Sequence, residues 1–81
     1  MEGKRVDRLD DSHFLSGEYG KGSDGAWYCC PPNSDLLGRL GNHEVVEHED
    51  GTITVSPSIL IRNRPGKAWH GYLERGIWRE I

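Results

Sequence analysis

Cys29, Cys30, His43, His48 and His70 are side chains of this sequence suited to binding a metal or moving a proton near neutral pH. A structural zinc ion takes four Cys, His or carboxylate ligands, usually in paired spacings. The two cysteines are adjacent, and successive residues of a strand point to opposite faces, so one site does not use both unless Pro31 distorts the backbone. Cys30, His43 and His70 remain as a conceivable metal set, zinc being the possible ion. The plainer alternative is buried or merely exposed side chains and no cofactor. For catalysis, Ser56, Ser58, His48, His70 and the carboxylates of 44–50 offer the residue types of a nucleophile, a base or an acid. The sequence has no nucleophile elbow and no phosphate-binding glycine loop, and no motif near Cys30-Pro31 explains a lowered thiol pKa. The expectation is a protein that is not an enzyme, with a small hydrolase as the third choice.

The elements that must position these groups belong to a chain of 81 residues, enough for one domain with a thin core. A bridge between neighbouring cysteines closes almost no loop, so the pattern points away from a secreted disulfide scaffold and towards a reducing cytoplasm. No signal peptide is expected, because residues 1–11 are charged throughout. No apolar run approaches the roughly 20 residues that span a bilayer, so no membrane partner is expected. Net charge is −3, and it is unevenly spread. Glu44, Glu47, Glu49 and Asp50 fall within seven residues that hold no Lys or Arg. Residues 62–81 hold five bases, Arg62, Arg64, Lys67, Arg75 and Arg79, against Glu74 and Glu80. One edge of the fold is then negative and another positive, a dipole that can steer a charged partner, unless both are simply solvated strand faces.

Residues 1–25 are polar and rich in glycine, and read as an arm with little regular structure whose apolar patch, His13-Phe14-Leu15, tucks onto the core. Residues 26–81 read as a small β domain. Its first strand ends at Pro31-Pro32, which cannot donate to a ladder. Ser34-Asp35-Leu36-Leu37 is a short helical turn or loop. Residues 44–49 and 52–56 form a hairpin around Asp50-Gly51. A two-residue primed turn there sets Glu49 against Thr52, His48 against Ile53, Glu47 against Thr54 and Val46 against Val55. His48 then lies on the apolar face as a half-buried histidine bonded to a neighbour. Pro57 bends the chain, and Ile59-Leu60-Ile61 follows as a short buried strand. Arg64-Pro65-Gly66-Lys67 has the proline and glycine of a type II turn. A second hairpin around Arg75-Gly76 sets Leu73 against Trp78 and Tyr72 against Arg79. Trp69, Gly71, Leu73 and Trp78 then share one face, an indole covers the gap at Gly71, and Arg79 stacks on Tyr72.

Gly51-Thr52-Ile53-Thr54-Val55-Ser56-Pro57-Ser58-Ile59-Leu60, then Trp69-His70-Gly71-Tyr72-Leu73, then Gly76-Ile77-Trp78, resemble a family of small bacteriophage and prophage proteins. The family has an S-P-S-I strand and a W-H-G-[YF] strand, and the resemblance runs from Trp27 onward. Some relatives bear the name ammonia monooxygenase, an activity that the resemblance does not carry to so short a chain. Others look like zinc proteins, with Cys-Pro-x-Cys early and a Cys-His pair late. Here Cys30-Pro31 matches the start of the first element, but Asn33 stands at its second cysteine. His70 matches the late histidine, but Lys67, Ala68 and Trp69 precede it.

The fold expected is mainly β, a small single-domain antiparallel sheet or partly open barrel built from hairpins, with an irregular N-terminal arm. The function expected is that of a viral accessory protein, of bacteriophage or prophage type. It would act without catalysis in the cytoplasm of a bacterial host by binding a host or defence macromolecule. A zinc-binding structural domain is the runner-up. Glu44, Glu47, Glu49 and Asp50 are the first candidate surface, since an acidic strand edge can imitate a phosphate backbone. Arg62, Arg64 and Lys67 form the second. Nucleic acid could stack on Trp69, Tyr72 and Trp78 among the C-terminal bases, but the acidic hairpin opposes it.

Overall fold

A computed structural model describes residues 1–7 and 14–81, with the side chains of Asn63 and Arg64 excepted. His13 and the Arg64 side chain therefore lie outside the described residues. The architecture is mainly β, as expected. Among the described residues eight strands form two four-stranded sheets. The first has the order β1 (Lys4–Arg5), β2 (Glu18–Lys21), β3 (Trp27–Cys29) and β4 (Gly38–Arg39), with β1 parallel to β2. The second is an antiparallel meander of β5 (Glu44–Glu47), β6 (Ile53–Arg64), β7 (Lys67–Glu74) and β8 (Ile77–Glu80).

Residues 1–3 stitch the sheets together. The Met1 nitrogen donates to the Trp78 carbonyl and the Trp78 N–H donates to the Met1 carbonyl. The Gly3 N–H donates to Gly76, and the chain then passes into β1. Trp78 adds a side-chain bond from its indole Nε1 to the Gly17 carbonyl at 2.9 Å. Residues 1–25 thus carry more regular structure than their composition signals. β2 supplies Tyr19, which is 1% exposed, and burial pushes its phenol pKa up. Phe14 is buried and stacks on Tyr28, while Leu15 stays exposed.

Between the sheets lie Tyr19, Cys29, Leu36, Leu40, Ile53, Val55, Ile59, Ile61, Trp69, Leu73 and Trp78. Each fully buried aliphatic side chain among them contributes about 1.5–3 kcal/mol of transfer free energy. Trp69 meets Trp78 edge to face, with ring centroids 5.3 Å apart. Gly71 leaves its space to that indole, since a Cβ there would lie 2.5 Å from Trp69 Cη2 and 2.3 Å from the Arg79 carbonyl oxygen. The hairpin of β7 and β8 has the expected register, with Leu73 against Trp78 and Tyr72 against Arg79. The guanidinium of Arg79 lies 5.2 Å from the Tyr72 ring centroid.

The β5–β6 hairpin departs from expectation by one residue. Val45 opposes Val55, Val46 opposes Thr54 and Glu47 opposes Ile53. His48 and Thr52 close the ladder, so the loop is the three residues 49–51, with only Gly51 at positive φ. Because side chains alternate faces, the shift sends Val45 inward and turns Val46 and His48 outward. His48 therefore leaves the apolar face and bonds Thr54 Oγ1 at 2.7 Å. Ile59 and Ile61 are buried as expected, but Leu60 between them is 48% exposed. Ser34-Asp35-Leu36-Leu37 is the loop of its two expected forms, in which Ser34 Oγ donates to the Pro31 carbonyl and Leu36 reaches the core.

Candidate functional site

The meander has an acidic end and a basic end, both built by β6. At the acidic end the four carboxylates take different tasks. Asp50 Oδ1 accepts from the Thr52 hydroxyl at 2.6 Å and from the Thr52 N–H at 3.0 Å, and the hydroxyl bond above all holds its pKa below the usual carboxylate range. Glu47 accepts from the Arg5 guanidinium, which lowers the Glu47 pKa and raises that of Arg5. Arg5 also donates to the Gly51 carbonyl and rests 5.0 Å from the Trp27 ring centroid, so one β1 side chain ties the hairpin tip to the first sheet. Glu44 and Glu49 are exposed, and no ion pair engages either among the described residues. Of the expected acidic surface all four side chains are exposed; Glu47 and Asp50 are engaged by Arg5 and Thr52, and Glu44 and Glu49 make no ion pair among the described residues.

At the other end Arg62 is exposed and makes no ion pair among the described residues. Lys67 sits across the hairpin turn, where Arg64 opposes Lys67 and Gly66 has φ 73°, as a type II turn requires. Its Nζ is 3.7 Å from Asp35 Oδ1.

Ser58 links two of the three expected metal ligands. His43 Nε2 bonds the Ser58 carbonyl at 3.1 Å, and Ser58 Oγ and His70 Nε2 are 3.0 Å apart. Cys30 does not join them. Its Sγ donates to the Ser34 carbonyl at 3.6 Å, and no group of three or more His, Cys, Asp or Glu gathers in metal-binding geometry among the described residues. The donor set found does not fit a four-ligand zinc site. Both cysteines are free and buried. Burial pushes the Cys29 thiol up to about 12 and that of Cys30 upward, the reverse of what a reactive thiolate needs. The Ser58–His70 contact has the form of a nucleophile–base pair, but it lies exposed on a sheet face.

That face is the outer side of the meander. Val46, Leu60, Ile77 and Ile81 are each 46–69% exposed. The register puts them with Thr54, His70, Tyr72, Glu74 and Arg79 on the side away from the core. Reasoning from sequence missed Ser58 as the meeting point of two histidines and Arg5 as the hairpin's tether. Both contacts join residues far apart in the chain, so no spacing signals them. The exposure of Leu60 was legible, since it alternates with Ile59 and Ile61.

Comparison with protein-family models, with curated proteins and with solved structures gave no match to this chain.

Proposed function

We propose that this chain is a non-catalytic binding protein, an accessory factor of phage or prophage type that attaches to a host or defence macromolecule. The observation that supports the reading is the outer face of the meander. Val46, Leu60, Ile77 and Ile81 stand exposed there among Tyr72, Arg79 and Arg62, a mixture of aliphatic, aromatic and guanidinium groups that suits protein interfaces. Glu44 and Glu49, exposed and without an ion pair among the described residues, extend that face at one end. Among the described residues no helix is long and apolar enough to cross a membrane.

The test is capture of a partner from bacterial lysate by the intact protein, followed by the pair Glu44→Lys with Glu49→Lys and, separately, Val46→Glu with Ile77→Glu. Neither pair disturbs a buried side chain. The reading expects a stoichiometric partner whose retention falls with at least one pair. Equal retention by both pairs would remove it. A second reading rests on the Ser58–His70 contact and makes the chain a small hydrolase. It expects turnover of chromogenic esters that disappears in Ser58→Ala and in His70→Ala while both variants stay folded.

A further inference from the structure

β5 lies at one margin of the meander and pairs with β6 alone among the described residues. The His48 N–H donates to the Thr52 carbonyl at 2.8 Å, so the main-chain groups of His48 turn to β6. From there the pairs run without a shift to Glu44 opposite Ser56. Main-chain groups alternate between the two edges of a strand, so those of Val46 and Glu44 also turn to β6. The N–H and C=O of Val45 and of Glu47 point the other way. Among the described residues no strand pairs with that edge, and no hydrogen bond reaches these main-chain groups. Two residue pairs make up the ladder of β1 on β2 and that of β4 on β3, so this edge is as long as those the fold itself pairs.

Unpaired main-chain groups on a strand edge are a template for another strand, and the residues of β5 fit a second β5. In an antiparallel ladder about a twofold axis, only Val45 opposite Glu47 engages both open residues of both copies. Val46 then meets Val46 of the second copy on the axis, and Glu44 meets His48 of the second copy on either side of it. All three side chains lie on the outer face, where Val46 is 48% exposed, Glu44 is exposed and His48 is half-buried. His48 is prepared for a carboxylate. The Arg75 N–H donates to Thr54 Oγ1 at 3.0 Å, so the Thr54 proton serves His48 Nε2 and the ring keeps its own donor on Nδ1. Acids on a strand edge commonly keep other strands away. In this register Glu44, which has no ion pair among the described residues, gains a donor rather than a like charge. Glu47 faces a valine and keeps its own Arg5.

We propose that the free edge of β5 binds the same edge of a second copy of this chain. The two four-stranded meanders become one continuous sheet across the twofold axis, and their outer aliphatic faces lie side by side. Main-chain bonds between Val45 and Glu47 of each copy supply attachment, while Val46 and the Glu44–His48 pairs supply selection. So small a contact makes a weak dimer, with a Kd of about 0.1–1 mM. The dimer goes beyond the binding reading above and does not depend on it.

The test follows the uniformly 15N-labelled full chain from micromolar to millimolar concentration by amide shifts and sedimentation equilibrium. A monomer–dimer equilibrium is expected, in which the Val45 and Glu47 amides shift most and gain protection from solvent exchange. Val46→Lys puts two like charges on the axis and should weaken association about tenfold. Glu44→Lys and His48→Glu should each associate about fivefold more weakly, while an equimolar mixture of the two recovers the dimer, because each variant then meets an opposite charge in the other. Val46→Lys alters an exposed side chain, so it tests the edge even where His48→Glu disturbs the hairpin. A monomer at every concentration would overturn the proposal. So would concentration-dependent shifts confined to β7 and β8, or Val45 and Glu47 amides already protected in dilute protein. A mixture no tighter than its two components would overturn the register, and the dimer with it. Capture of a host partner by a strictly monomeric protein would remove the dimer and leave the binding reading intact.

Discussion

The two outer hairpins of the meander both turn on a dipeptide ending in glycine, and they turn by different physics. At Arg75-Gly76 both residues have positive φ, 48° and 76°, which makes a two-residue primed turn that matches the twist of β7 and β8. At Asp50-Gly51 only the glycine is left-handed, at 88°, and the loop takes in Glu49 as a third residue. The Asp50 carboxylate bonds Thr52 two residues on, a local turn of its own that holds Asp50 outside the left-handed region. The surroundings differ as much as the turns do. Gly76 is packed under Tyr19 and Thr52, whereas among the described residues a Cβ at Gly51 would meet only the far end of Arg5. One hairpin is locked into the core by Trp78, and the other is held at its tip by exposed polar contacts. A dipeptide signals a turn, and its neighbours decide which turn forms.

The largest expected effect tests that packing difference. Gly76→Ala places a Cβ 2.7 Å from the Tyr19 hydroxyl in a left-handed backbone, and should cost about 3 kcal/mol, strain and overpacking together. Gly51→Ala keeps the strain without the collision and should cost about 1 kcal/mol. Urea unfolding of the two variants decides the matter, and equal midpoints would erase the distinction. The register of the acidic hairpin comes next. Val45→Asp should cost about 2 kcal/mol, because Val45 packs against the core, while Val46→Asp should stay within about 0.5 kcal/mol. The reverse order would restore the two-residue loop.

Acid separates the hairpins again, with a smaller effect. The folded-state pKa values of Asp50 and Glu47 lie below their usual values, so their stabilisation is complete above the unfolded values of about 4 and is lost as pH falls through the folded ones. Amide exchange between pH 5 and pH 2 should therefore show the Thr52 amide losing protection, with the Arg75-Gly76 turn retained until global unfolding. Simultaneous loss at both turns would contradict it. The smallest effect belongs to the β7–β8 face, where a double-mutant cycle on Tyr72 and Arg79 should give a coupling of about 0.5–1 kcal/mol.

Much of this was readable in the residue order. The alternation of Trp69, Gly71 and Leu73, the glycine turns at Gly66 and Gly76, and the pairing of Leu73 with Trp78 follow from period two and turn chemistry, both local properties. The hairpin at Asp50-Gly51 was misplaced by one residue because both registers keep Ile53 and Val55 on one face. The choice between Val45 and Val46 then depends on what lies across the core. Residues 1–25 hid their strands because β1 and β2 are two and four residues long and pair with distant chain, which leaves no period to detect.

The same division holds for the candidate surfaces. The sequence by itself determined that acids cluster at 44–50, that bases follow at 62 and beyond, and that the two cysteines make no useful bridge. Only the tertiary structure decided that Glu47 and Asp50 are engaged by Arg5 and Thr52 while Glu44 and Glu49 make no ion pair among the described residues. It alone brought His43 and His70 to Ser58 without Cys30. Composition and period are carried by neighbours along the chain, whereas ion pairing, ligand convergence and strand edges depend on which distant segments come together.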